Sequence, residues 1–243
     1  MIVLFTDFGA DDIYLAQVKA VLLEQLAHRT PIVDLLHAVP NFDVAAAAHL
    51  LAALQARFPR ETVFLAVVDP GVGTDRDAAL VHADGKWYVG PDNGLLSVTA
   101  ARAIETRVWR ILWRPRTLSA SFHGRDLFAP VAAWIAAGIL PEDKLEAIDA
   151  LRVQFGADDR PQVIYIDHYG NALTGLRACN VAESTALGIR GRHVPHARVF
   201  AEAPAGAAFW YENSIGLIEI AANRANAAEQ LGLKPGDPVS LVA

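Results

Sequence analysis

The sequence predicts an α/β protein, with an N-terminal α/β domain on a mostly parallel sheet and a smaller C-terminal antiparallel β domain. Three observations carry that expectation. Short apolar runs alternate with helix-length amphipathic stretches as far as residue 137, the pattern of strands joined by crossover helices. Two of these runs, 2–5 and 63–68, are apolar without alternation, as strands buried on both faces are. After Leu151 the texture changes to short β-like runs separated by turns.

The first strand, 2–5, runs into the acidic turn Thr6-Asp7-Phe8-Gly9-Ala10-Asp11-Asp12. A helix is expected over 13–27, with Leu15, Val18, Val21, Leu22 and Leu26 on one face and Asp11 or Asp12 as its N-cap. Residues 32–36 read as the second strand, and Asp43 caps an alanine-rich helix reaching about 58. The strand 63–68 ends in Asp69-Pro70-Gly71-Val72-Gly73-Thr74. This puts Asp69 at a strand's carboxyl end, where open α/β sheets place ligands. Pro70 fixes one backbone angle, and the two glycines permit turns that let Arg76 fold back toward Asp69. Asp in such a turn is also common as a mere local acceptor, so this stretch alone leaves a chemical role open.

Residues 80–82 and 87–90 flank Ala83-Asp84-Gly85-Lys86, a hairpin whose Asp-Gly suits positive φ. Pro91-Asp92-Asn93-Gly94 precedes another helix, and 107–112 reads as a strand. Ser121-Phe122-His123-Gly124-Arg125-Asp126 leads into a helix over 127–137 that Gly138 closes. The polar stretch 155–161, with Gly and Pro, reads as a linker, dividing the chain into domains 1–154 and 162–243. In the second domain strands are expected at 163–167, 194–200, 209–211, 216–220 and 239–242, with a short helix over 226–231.

Composition narrows the function classes. With 243 residues, 53% hydrophobic and 20% charged, the chain can bury a sizeable core. A net charge of −6 argues against nucleic acid as the main partner, the only locally basic stretch being 102–116. No run reaches the roughly 20 apolar residues of a membrane span. The single cysteine, Cys179, and an N-terminus that opens directly on a strand lead to the expectation of a cytoplasmic protein. Walker, GxGxxG, HExxH and nucleophile-elbow patterns are missing, and His193 and His196 lie in an Arg-rich, loop-like stretch that suits a surface better than a metal.

What is left is acidic turns at strand ends. Asp7, Asp12, Asp69, Asp92 and Asp167 each sit in or beside one. Asp7 and Asp69 both leave expected parallel strands at their carboxyl ends, so together they suit a cation, a ribose, or both. The stretches TDFGADDIYLAQVKAVL, VVDPGVGTDR, YVGPDNGLLS, SFHGRDLFAPVAA, IDHYGNALT and ENSIGLIEIAANRANAAEQLGL resemble, in order and over nearly the whole chain, the S-adenosylmethionine hydroxide adenosyltransferase family. Its members are also called SAM hydrolases and are related to the fluorinases and chlorinases.

The resemblance implies attack of water on the 5′ carbon of S-adenosylmethionine, giving adenosine and methionine with no cofactor and no metal. It also implies a homotrimer in which the substrate lies between one subunit's N-terminal domain and its neighbour's C-terminal domain. The Asp, Arg and His that handle the water in the hydrolases match Asp69, Arg76 and His123 here. The halogenating relatives carry, for example, Tyr in place of the first and last, so the set favours hydroxide over halide. Asp7 matches the carboxylate that grips the ribose hydroxyls. Asp12, Asp167 and Ser214 match positions around the methionine amino and carboxylate groups. Phe42, Tyr169 and Phe200 match aromatic positions beside adenine or ribose, and Asn171 matches the reader of the adenine edge.

Elementary chemistry fits these assignments. Water's pKa of about 15.7 calls for a proton acceptor, a stabilising positive charge, or both. Asp69 and His123 are the candidate acceptors and the sequence leaves the choice open, while Arg76 supplies fixed charge. Two departures stand out. Tyr169 occupies a position where Phe is expected, in a motif that also lacks an Asn after its Thr, and Ala225 replaces a Gly. Competing readings are a halide-dependent 5′-halo-adenosine synthase, a non-catalytic adenosine-binding module, and a metal-dependent phosphoesterase built on Asp7, Asp12 and Asp69.

Overall fold

The computed structural model describes residues 1–26 and 30–242. The chain divides into two compact units, one of Met1–Leu51 and Arg57–Ala157, the other of Ala52–Ala56 and the chain from Asp158 onward.

The elements of the first part are β1 (Ile2–Thr6), α1 (Ile13–Gln25), β2 (Ile32–Leu36), α2 (Val44–Leu54), β3 (Val63–Val67), β4 (Ala78–Ala83), β5 (Lys86–Pro91), α3 (Ser97–Arg102), β6 (Thr106–Ile111), α4 (Ala129–Ala136) and β7 (Leu145–Ile148). The sheet order is β2-β1-β3-β5-β4-β6-β7. Strands β2, β1, β3 and β5 are mutually parallel, and β4, β6 and β7 follow in antiparallel steps, so five of the seven strands run one way. Every residue of β1 and β3 is buried, which explains their unbroken apolar runs.

The register of β1 on β3 matters most for the site. Ile2 pairs with Val63 and Thr6 with Val67, so the two strands end level and their acidic turns leave side by side. Helix α4 packs against α1, β3 and β5, placing the segment just before it near the same edge. That segment differs from expectation. Gly124–Phe128 forms a wide turn, in which the amide of Ala129 reaches back to the carbonyl of Gly124, and only then does the regular helix begin. Helix α1 is capped by Asp12, and α2 by Asp43, whose Oδ1 accepts from the amide of Ala46 at 2.9 Å. The expected end of α1 at Ala27 lies outside the described residues.

In the second unit, β8 (Arg160–Ile166), β9 (Ala172–Arg177), β12 (Ala208–Glu212) and β13 (Leu217–Ala222) form a sheet of order β12-β13-β9-β8. A second sheet joins β10 (Ala186–Ile189), β11 (Arg192–Val194) and β14 (Ser240–Val242) in the order β11-β10-β14, and α5 (Ala227–Leu231) completes the unit. All these pairings are antiparallel. Trp210, Ile218, Ile220, Val163 and Leu187 share the core.

Three expectations need correction here. The strand expected over 194–200 stops at Val194, because Pro195 has no amide to extend the ladder. His196 makes only a single bridge to Trp210, and Phe200 opens a short 3₁₀ turn. Arg160 and Pro161, read as linker, begin β8. Strands β7, β9 and β10 were not expected at all.

Candidate active site

The turns leaving β1 and β3, together with residues 121–124, enclose a cleft of about 400 Å³. Asp7, Asp12, Phe42, Asp69 and His123 all line it. One wall is a cluster of three aromatic rings that sequence reasoning missed. Phe8 and Tyr14 lie edge-on to Phe122 or tilted to each other, with centroids 5.4–6.1 Å apart.

Arg76 folds back as its glycine-rich turn allows. Its Nε donates to Asp69 Oδ1 at 2.8 Å and to Oδ2 at 3.1 Å, and its Nη2 donates to Asp69 Oδ2 as well. The same Nη2 stands 3.0 Å from His123 Nδ1. The guanidinium also lies 5.1 Å from the centre of the Phe128 ring. Both partners of the ion pair are buried, their side chains being only 9% and 5% exposed, so this fork is not a water-screened surface pair. Burial first, and then the Arg76 charge, push the His123 imidazole below its ordinary range, so it is neutral at neutral pH.

The pKa of Asp7 is shifted upward. Burial raises its pKa, backbone hydrogen bonds at Asp7 and Phe42 oppose the rise, and the charge of Asp69 adds to it. With Asp12, three carboxylates thus border one cleft, an arrangement that favours a ligand bringing hydroxyl donors. Asp12 spends one oxygen on the amide of Ile13 at 2.6 Å and still borders the cleft. Phe42 is 73% exposed and sits at φ +65°, a conformation few bulky residues adopt. Among the described residues, no three His, Cys, Asp or Glu side chains are grouped as an ion would need, and no helix is long and apolar enough to cross a membrane.

The other expected residues line a second cleft of about 780 Å³ in the second unit: Asp167, Tyr169, Asn171, Phe200 and Ser214. Asp167 organises its own loop. Its Oδ1 accepts from the amides of Tyr169 and Asn171 at 2.9 and 2.8 Å, and its Oδ2 accepts from Asn171 Nδ2 at 3.1 Å. Tyr169 is 75% exposed, so its hydroxyl reaches water. Phe200 packs edge-on against Phe209 and Tyr211, at 5.0 and 5.4 Å between centroids, while still facing the cleft.

Sequence reasoning missed the floor of this cleft. Glu219 is buried, and its carboxylate accepts from Tyr211 Oη at 2.6 Å and from Asn213 Nδ2 at 2.9 Å. Burial and the Glu219 bond together raise the Tyr211 pKa. The available signal was one acid inside the apolar run Leu217–Ala222. Ala225, where a Gly was expected, is not among the residues with positive φ; the left-handed residue there is Arg224 at φ +58°.

Comparison with known proteins agrees with the motifs. Residues 2–145 match the model of the SAM hydroxide adenosyltransferase N-terminal domain, and residues 161–240 match that of the C-terminal domain. A protein named (R)-S-adenosyl-L-methionine hydrolase from Thermus thermophilus is 42% identical, over 98% of this chain and 97% of its own length. Another of that name from Salinispora arenicola is 38% identical, over 98% and 96%. A fluorinase from Nocardia brasiliensis is 28% identical, over 99% and 96%. The crystal structure of an uncharacterized conserved protein from Thermotoga maritima superposes with a TM-score of 0.89 at 30% identity, covering 99% of this chain and 100% of that one. With both domain models matched in order along one chain, and the relatives similar from end to end, the protein belongs to the SAM hydroxide adenosyltransferase family.

Proposed function

We propose that this protein hydrolyses S-adenosyl-L-methionine to adenosine and L-methionine by attack of a water on the ribose 5′ carbon. The observation that carries this reading is the contact of Arg76 with both Asp69 and His123 at the edge of one cleft. A guanidinium can only donate, so His123 Nδ1 accepts, and the neutral ring carries its proton on Nε2. His123 then holds the water as a donor, which leaves Asp69 as the proton acceptor. One O–H bond of water breaks and its proton passes to Asp69 while the new C–O bond forms. The C5′–S bond breaks with its electron pair going to sulfur, so the sulfonium becomes a neutral thioether. Arg76 stabilises the developing hydroxide, and the rest of catalysis is alignment in a site closed to bulk water.

In this reading Asp7 grips the ribose hydroxyls, and Phe42, Tyr169, Phe200 and Asn171 hold the nucleoside. Asp12, Asp167 and Ser214 serve the methionine end. No cofactor is needed, since the leaving group is already charged. The working form is a cytoplasmic homotrimer whose site joins domain 1–154 of one copy to domain 162–243 of its neighbour. The presence of two clefts, each lined by part of the residue set, supports that arrangement.

Turnover of S-adenosylmethionine in ¹⁸O water tests the reaction. Adenosine carrying the label on its 5′ oxygen is expected. Unlabelled adenosine, or none, overturns the proposal.

A further inference from the structure

Behind the Asp7 turn runs a polar chain, buried at Thr6 and His37 and open to solvent at Asp34 and Lys19, that none of the roles above uses. Thr6, the last residue of β1, is 1% exposed, and its Oγ1 lies 2.8 Å from His37 Nδ1. His37, 6% exposed, reaches Asp34 Oδ1 through Nε2 at 3.0 Å. Lys19 Nζ closes the chain on Asp34 Oδ2 at 2.6 Å. At the cleft end the amide of Phe8 donates to Thr6 Oγ1 at 3.3 Å, and the amide of Gly9 donates to the carbonyl of His37 at 2.7 Å.

The direction of each bond follows from the inventory of donors. Thr6 Oγ1 accepts from the Phe8 amide, so its own proton is free to go to His37 Nδ1. His37 then carries its ring proton on Nε2, where it donates to the Asp34 carboxylate. The arrangement resembles a hydroxyl-imidazole-carboxylate relay, but its hydroxyl is buried and faces a backbone amide, so it cannot reach a substrate as a nucleophile. It ties down the two residues on either side of Asp7 instead, with Thr6 before it and Phe8 after. Both Asp7 and Phe8 line the cleft.

We propose that Thr6 and His37, backed by Asp34, are positioning residues that hold the Asp7 turn in its ligand-gripping geometry. The proposal rests on the reading of Asp7 as a ribose-binding carboxylate and extends it to the residues that aim it. The buried Thr6–His37 pair suits this task because removing either group strands the other away from water, so the turn is held in one position rather than loosely.

The test compares Thr6→Val, which keeps the shape and removes the hydroxyl, with Thr6→Ser, which keeps the hydroxyl. Adenosine affinity by calorimetry, steady-state kinetics and exchange of the Phe8 amide are read together. Thr6→Val is expected to weaken adenosine binding and raise KM about tenfold, with kcat within about threefold of the parent. Exchange at Phe8 should quicken about tenfold in Thr6→Val and stay unchanged in Thr6→Ser. Asp34→Ala, at a side chain 47% exposed where folding is not at stake, should shift binding the same way by a smaller factor. Parental adenosine affinity in Thr6→Val, equal losses in both Thr6 variants, or unchanged Phe8 exchange in Thr6→Val would each overturn the proposal. Should the parent protein bind no adenosine, the ribose reading of the cleft fails, and the Phe8 exchange rates alone decide whether the chain anchors the turn.

Discussion

Gly73 lies beneath the backbone carbonyl of Ala120, so close that a Cβ at residue 73 would overlap it, and Gly73 holds φ +81°. The turn carrying Asp69 and Arg76 is therefore seated directly on the strand of chain that leads to His123. Gly73→Ala meets both a clash with unyielding backbone and a disfavoured conformation. It is expected to cost about 1–3 kcal/mol of stability, seen as a lower thermal midpoint. Turnover should fall roughly 100-fold through misplacement of the Arg76 fork, with adenosine affinity, proposed to depend on Asp7, largely kept.

Replacing the groups proposed to handle the water separates their roles. Asp69→Asn keeps an acceptor for Arg76 but cannot take the proton, and should lower kcat by roughly 100- to 10,000-fold. His123→Ala removes one donor to the water and should cost roughly 100-fold. Adenosine Kd by calorimetry should change little in either variant. An Asp69→Asn enzyme more active than His123→Ala would reverse the proton assignment.

The pH profile should carry the mark of His123. Its depressed pKa means that kcat/KM is level near neutrality and falls only at a pH below the usual imidazole value of about 6.5. There a second ring proton would turn Nδ1 into a donor facing Arg76. The same shift sets a stability slope: between the folded and unfolded pKa values the unfolded chain binds more protons, so stability rises with pH across that window. His123→Ala should flatten this part of the stability curve.

Asp7 and Asp167 are both expected to matter for binding, but differently. On the proposed ribose-binding role, Asp7→Ala should weaken adenosine by roughly tenfold to a hundredfold. Asp167→Ala removes the acceptor of two amides and one side chain, so it should also disorder Tyr169 and Asn171. That second effect is visible as faster amide exchange across 168–171, which Asp7→Ala should leave untouched.

How far the sequence carried depends on which forces set each element. Strands β1 and β3 were legible because burial on both faces leaves an apolar run that nothing local imitates. Strand β9, with the sequence ALTGLR, and β7, with LEAI, carry small or charged residues of weak β preference. Partners distant in sequence make them strands, and no local signal reports a partner. The meeting of Asp69, Arg76 and His123 became readable through family motifs, since His123 lies 47 positions from Arg76. Asp92 shows the opposite case. It looked like the other strand-end carboxylates, yet it accepts from the amides of Arg152 and Val153 and so fastens one segment to another. The Thr6, His37 and Asp34 chain had no sequence signature, because its members come from one strand end, one strand middle and one loop.

The wide turn at Gly124–Phe128 spends five residues where an ordinary helical turn spends about four. His123 is therefore oriented by a count of residues as well as by its neighbours. Losing a single residue from this turn would swing the imidazole by about 100° around the helix axis, away from Arg76, without altering any chemical group. In evolution, then, this stretch should accept changes of letter far more readily than changes of length.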